Sequence, residues 1–285
     1  MTKAEGGQPS CPPSGFAKLA IQLRLCRRFY TRLDAPIHHG TIDGIRIRAA
    51  AAYKPEFVHA LIDLYHSKSA AGQVKTVNFR SKIVTPNGST KRYFVKEFVK
   101  YHALHDLERA IRYTRADRVW RAAYLLPTLG FLTPPPVGLA VISDSTGEAT
   151  DYVVTEMVEG GIPYHERVMP LSGHARRAML HEFVIYLRQL HDSSIYLRDL
   201  LTNVLTRESG GNLEYWLTDL DQFHPYRRIT RKRLLHHMFQ LARWTGPLSE
   251  DETNDIVATY AGTKKGSLPR AIKRVLTTTA PADMN

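Results

Sequence analysis

Cysteine is nearly absent from this sequence, with only Cys11 and Cys26 among 285 residues. Two thiols near one end support neither a disulfide framework nor a cysteine-type zinc site, and they fit a reducing compartment. No apolar run approaches the roughly 18 residues expected of a membrane span, and the N-terminus carries no apolar stretch with a small-residue cleavage site. The chain is therefore expected to be made and kept in the cytosol. Low-complexity, collagen-like and coiled-coil patterns are missing too, and 43% hydrophobic with 23% charged residues is the balance of a globular protein able to bury a substantial core. Acidic residues are in short supply, 27 against 39 Lys and Arg, which leaves a formal net charge of +12. That excess favours an anionic partner: nucleic acid, acidic lipid or a phosphorylated glycan. No zinc-finger spacing, RNP-like motif or recognition helix accompanies the charge, so nucleic acid is set aside.

The chain itself begins with MTKAEGGQPSCPPSG, rich in Pro and Gly and without periodicity, which reads as a tail over residues 1–15. Residues 16–33 place Leu19, Ile21, Leu23, Leu25 and Phe29 among basic residues, as a short basic amphipathic segment would. QVKTVNFRSKIV alternates, PNGS has turn chemistry and KRYFVKEF is aromatic and β-branched, so residues 73–98 read as strands and a hairpin with Lys96 on a strand. Ala116, Val119, Trp120, Ala123, Tyr124 and Leu126 follow helical spacing up to Gly130. VGLAVI and DYVVTEMV form a second hairpin, and GGIP then breaks the chain.

Beyond that break helices dominate. Ser172 can cap one whose apolar face holds Ala175, Met179, Phe183, Tyr186, Leu187 and Leu190, and a short strand pair is expected near Val204 and residues 215–217. Trp120, Trp216 and Trp244 are assigned to the core. The histidine pairs His38-His39 and His236-His237 read as surface or packing residues, because sequence neighbours seldom ligate one metal. RRITRKR, residues 227–233, concentrates five basic residues in seven positions and reads first as a solvated face.

LRQLHDSSIYLRDLLTNVLT carries the most chemical information: a helix ends in Leu-His, a turn follows, and Asp199 lies eight residues after His191. This resembles the catalytic loop of the protein-kinase superfamily. Phosphoryl transfer needs an oriented hydroxyl and neutralised phosphate charge more than covalent help. On the resemblance, Asp199 orients the hydroxyl and Asn203 offers an amide oxygen to Mg²⁺. YWLTDLDQF brings a strand into Asp219, as the strand before the kinase metal motif does, so Asp219 and Asp221 become metal ligands. Lys96 would touch the α and β phosphates of ATP, and Glu156, Met157 and Val158 would form the hinge beside the adenine.

Within that superfamily the closest resemblance is to bacterial lipopolysaccharide kinases, the Kdo and heptose kinases. It is carried by YFVKEF, by TRADRVWRAAYLLPTLGFLTPPPVGLAV, by IYLRDLLTNVL with LTDLDQF, and by EDETNDIVATYAG, over residues 72–262. The fold implied is α+β and bilobal, with a strand-rich N-terminal lobe over 16–158 and a helical C-terminal lobe over 159–285. The activity implied is ATP- and Mg²⁺-dependent phosphorylation of a sugar of the lipopolysaccharide core, on the anionic cytoplasmic face of the inner membrane.

The sequence also departs from that pattern. Leu197 stands where a supporting histidine is usual, Asn203 comes four residues after Asp199 rather than five, and Val119 takes the place of the helix glutamate that pairs with the lysine, leaving Asp117 or Glu108 as substitutes. Around residues 69–74 the phosphate-covering loop has only Gly72. These departures keep a second reading open, a pseudokinase acting as a membrane- or protein-binding module.

Overall fold

The computed structural model describes residues 37–67, 71–75, 79–98, 114–143, 149–223, 229–262 and 267–278. The tail, the basic amphipathic segment and Glu108 lie outside these residues. Strands β1 (His38–Ile42), β2 (Ile45–Ala49), β3 (Ala71–Lys75), β4 (Phe79–Val84), β5 (Tyr93–Phe98), β6 (Pro136–Ser143) and β7 (Ala149–Glu156) form one sheet in the order β1-β2-β6-β7-β5-β4-β3. Every pairing in it is antiparallel. The alternating run read from Gln73 resolves into two strands, β3 and β4, paired with each other.

One face of the sheet is closed by helix α1 (Pro55–His66), which the sequence analysis did not identify. Pro55 opens it without sacrificing a helical hydrogen bond. Val58, Leu61, Ile62 and Tyr65 then recur at helical spacing and pack against Val95, Val137, Ala140, Tyr152 and Val154 of the sheet. Contact is so close at Gly138 that an added Cβ would lie 2.5 Å and 2.6 Å from the two methyls of Val58.

Helix α2 (Arg115–Thr128) starts with a reciprocal capping box: Thr114 Oγ1 accepts from the Asp117 amide, and the Asp117 carboxylate accepts from the Thr114 amide. Asp117 also pairs with Arg48. Its carboxylate is thereby committed to the cap and to β2, which corrects its expected role as a substitute partner of Lys96. The helix ends at Gly130, whose φ of +84° suits glycine.

The second half is built on helix α4 (Gly173–Asp192), preceded by the short β8 (Ile162–Pro163) and α3 (Tyr164–Val168). Ser172 occupies the N-cap position of α4, yet its side chain makes no capping hydrogen bond. On the apolar face Ala175 is exposed, and the buried position belongs to Arg176. Its guanidinium pairs with Glu252 at 2.8 Å and donates to the carbonyls of Thr245 and Pro247, satisfying a charge that would otherwise be costly to bury.

Strands β9 (Val204–Ser209) and β10 (Asn212–Leu217) form the expected pair, and β8 adds a third strand beside β9. Helices α5 (Arg231–Trp244), α6 (Glu250–Ala261) and α7 (Ser267–Thr278) complete the helical part. Trp120 is core, but Trp216 and Trp244 are only half-buried. An arginine, Arg207, lies over the Trp216 ring, which is why that indole needs no apolar cover.

Candidate active site

Lys96 sits in the middle of β5, opposite Ser81 of β4 and Val153 of β7. It is only 6% exposed, and its ammonium contacts the carboxylate of Asp219, 123 positions further along the chain. The contact joins the seven-stranded sheet to the second residue after β10. Asp219 has left-handed backbone angles, φ 50° and ψ 55°, an uncommon conformation outside glycine that aspartate tolerates better than most.

A short 3-10 turn, Leu220–Gln222, then brings Asp221 beneath the surface at 4% exposure. Burial first, and then the negative charge of Asp219, push its carboxyl up to about 6. Two arginines of α2 hold the turn. Arg115 reaches Asp221 Oδ2 at 3.6 Å, and Arg118 Nε donates to the Asp221 carbonyl at 2.9 Å. The other carboxylate oxygen, Oδ1, is buried and meets no hydrogen-bond donor. Where the sequence comparison looks to α2 for an acid facing the lysine, the described helix instead supplies cations facing the aspartate.

The loop after α4 is fixed by its apolar residues. Ile195, Leu197, Leu200 and Leu201 are all buried, while Asp199 between them is exposed. Closure of the shortened loop is visible in its backbone. The Asn203 amide donates to the Leu200 carbonyl at 3.0 Å, and Thr202 Oγ1 donates to the Asp199 carbonyl at 3.1 Å, so a tight turn takes up the missing residue. The Asn203 carbonyl then accepts from both the amide and the hydroxyl of Thr218, at 2.8 Å and 3.0 Å. Asp199 is linked to the same region through Gln222, whose amide lies 3.5 Å from Asp199 Oδ2.

Lys96, Asp219 and Asp221 thus meet directly, and Asp199 and Asn203 join them through Gln222 and Thr218. At the end of β7, Glu156 accepts from Lys91 at 3.1 Å and from the Tyr53 hydroxyl, which leaves its side chain engaged within the protein. The Glu156 and Met157 amides donate to the carbonyls of Pro135 and Arg92; among the described residues the Val158 amide makes no backbone hydrogen bond. Gly72 lies within the edge strand β3, where the pairing register shifts between Ala71 and Val74, and not in a turn. Sequence reasoning missed Arg115, Arg118, Thr218 and Gln222: nothing local marks two arginines that serve a turn about a hundred positions away, and Thr218 and Gln222 act on the loop 15 and 23 positions before them through side chains that no motif singles out.

The donor set suits a hard cation. Among the described residues no group of three or more His, Cys, Asp and Glu could hold a metal unaided. Two carboxylates with an asparagine would offer Mg²⁺ hard oxygens, and the buried Asp221 Oδ1, which has no hydrogen-bond donor, fits such an ion.

Residues 65–260 match the lipopolysaccharide kinase (Kdo/WaaP) family. No curated protein matches the chain. Among solved structures, WaaP in complex with acyl carrier protein superposes with a TM-score of 0.52 at 18% identity, over 78% of this chain and 86% of that one. The MAP kinase LmaMPK10 from Leishmania major gives a TM-score of 0.39 at 13% identity, over 77% of this chain and 64% of that one. A double mutant of the PknI kinase domain from Mycobacterium tuberculosis gives 0.39 at 12% identity, over 73% and 95%. The fold is shared with WaaP, a strand-rich sheet in the first half and helices in the second, the α+β arrangement that the sequence led us to expect.

Proposed function

The chain belongs to the lipopolysaccharide kinase (Kdo/WaaP) family, and from that premise we propose that it transfers the γ-phosphate of ATP to a hydroxyl of an inner-core sugar, a Kdo or a heptose. The observation that carries this reading is the contact of Lys96 with Asp219, made where the exposed Asp199 and Asn203 converge on the same loops. Lys96 would neutralise the α and β phosphates. Asp199, the exposed carboxylate, would orient the acceptor hydroxyl and take its proton as the phosphoryl group leaves ATP. Asp219, Asp221 and the Asn203 side chain would hold Mg²⁺, which supplies charge neutralisation at the phosphates. The Val158 amide would donate to the adenine ring, with Glu156 and Met157 shaping the hinge.

Among the described residues no helix is long and apolar enough to cross a membrane. Arg231 and Lys232 of α5 and Arg270, Lys273 and Arg274 of α7 are exposed, and these two helices pack together. In the proposed setting this basic face meets the anionic cytoplasmic surface of the inner membrane, at about 1 kcal/mol for each well-placed cation.

The test is a thermal-shift titration with ATP, with and without Mg²⁺, on the protein and on Asp219→Asn and Asp199→Ala. A Mg²⁺-dependent rise in Tm that Asp219→Asn loses and Asp199→Ala keeps is expected, together with loss of turnover in Asp199→Ala. No shift at millimolar nucleotide would replace the kinase with the non-catalytic binding module.

A further inference from the structure

Two carbonyls precede Asp199 in the loop, those of Leu197 and Arg198, and both are held by side chains of α5. His237 Nε2 lies 2.7 Å from the Leu197 carbonyl, and Gln240 Nε2 donates to the Arg198 carbonyl at 2.6 Å. Three residues apart on a helix, these side chains share one face, and the loop presents consecutive carbonyls to them. His237 is 1% exposed and Gln240 6%.

Behind His237 stands a second imidazole. His191 Nε2, in the last turn of α4, is 2.7 Å from His237 Nδ1, and His191 Nδ1 contacts the hydroxyl of Tyr260 in α6. A carbonyl can only accept, so Nε2 of His237 carries the proton and its Nδ1 is bare. That bare nitrogen needs a donor, which fixes the proton of His191 on Nε2 and makes its Nδ1 the acceptor for the Tyr260 hydroxyl. Every hydrogen in the series therefore points toward the loop, from α6 through α4 and α5 to the Leu197 carbonyl, with both rings neutral. Tyr196, two residues after Ser194 in the same loop, stacks on the His237 ring at 4.8 Å and fixes its plane.

We propose that His237 and Gln240 are positioning residues for Asp199, holding the two carbonyls before it through a one-way hydrogen-bond series backed by His191 and Tyr260. Support for the loop thus comes from α5, which accounts for a leucine at position 197: its apolar side chain fills the core at 2% exposure while its carbonyl receives the bond. A glutamine at 237 can reproduce the polarity, its amide nitrogen donating to the carbonyl and its amide oxygen accepting from His191. A leucine cannot, because it neither donates to the carbonyl nor accepts from His191.

The role in positioning rests on the kinase reading; the series itself does not, and the experiment separates them. Ring ¹⁵N spectra of the full chain at neutral pH are expected to show both imidazoles neutral and protonated on Nε2, and amide exchange is expected to show protection across residues 195–203. His237→Gln should retain that protection, and His237→Leu and Gln240→Met should each lose at least about tenfold of it. With Mg²⁺-ATP and a core-sugar acceptor, His237→Leu and Gln240→Met should lower kcat by about tenfold to a hundredfold, as small misplacements of a reacting group do. Their KM for ATP should stay unchanged, and His237→Gln should remain within about threefold of the parent. A protonated pair, an Nδ1-protonated His237, or a Leu variant with full protection overturns the series. Intact protection effects with unchanged kcat overturn the positioning role alone, and an inactive parent with an intact series overturns the kinase reading instead.

Discussion

His237 and His191 are buried as neutral rings, and the cost of charging them there is set by their surroundings. Burial, as the largest cause, lowers His237 to about 4 and moves His191 down as well, with the neighbouring ring adding repulsion. The unfolded chain binds protons at both positions from about pH 6.5 downward, whereas the native protein does not. Stability is therefore complete above that pH and is lost as pH falls toward 4, by on the order of 3 kcal/mol for His237. Urea midpoints measured at closely spaced pH values should fall over this window, and His237→Gln should flatten the fall. None of this was legible beforehand: the sequence showed adjacent histidines, and only the fold reveals that His237 points inward while His236 does not.

Among the elements, α1 and β6 meet so closely that a single methyl matters. Gly138→Ala would press a Cβ into the methyls of the fully buried Val58, and overpacking of this kind costs about 1–3 kcal/mol. Val58→Ala alone should also destabilise, through the space it leaves. The double variant should be less destabilised than the sum of the two, which a thermal-melt cycle would measure.

This part of the fold was also the least readable. Helix α1 carried an adequate signal in Pro55, Val58, Leu61, Ile62 and Tyr65, but β1 is short, polar and largely exposed, and the alternation of β2 runs over only the five residues Ile45–Ala49, so the strands that α1 covers carried little signal. By contrast α2, with its capping box and apolar stripe, and the β9–β10 pair were legible because their signals are local. Trp216 misled although its partner is near: an indole is usually buried, and Arg207, nine positions earlier on the paired strand β9, covers this one with a guanidinium instead.

For the whole molecule, the net charge of +12 has a direction as well as a size. Exposed cations gather on α5 and α7, with Lys273 reaching only Asn254 and the exposed Glu250 among its described partners. Binding to vesicles containing phosphatidylglycerol should be measurable by co-sedimentation at low salt and should weaken strongly between about 0.05 M and 0.5 M NaCl as charges are screened. Arg270→Glu with Arg274→Glu should weaken it several-fold at low salt without changing the Mg²⁺-dependent Tm rise. Equal binding by that variant would locate the attraction elsewhere.

Helix α2 is fastened at both ends to the part of the molecule that carries the aspartates. Arg115 and Arg118 hold its first turns to the 3-10 turn at Asp221, and just beyond its last turn the Leu132 carbonyl receives the Leu217 amide of β10. A rod pinned at two points cannot swing about either. The same helix also holds the large sheet, through the pairing of Asp117 with Arg48 of β2. Displacing it as a switch would mean breaking the Arg115, Arg118 and Leu132 contacts together, so this helix is a tie between the sheet and the aspartates and not a lever.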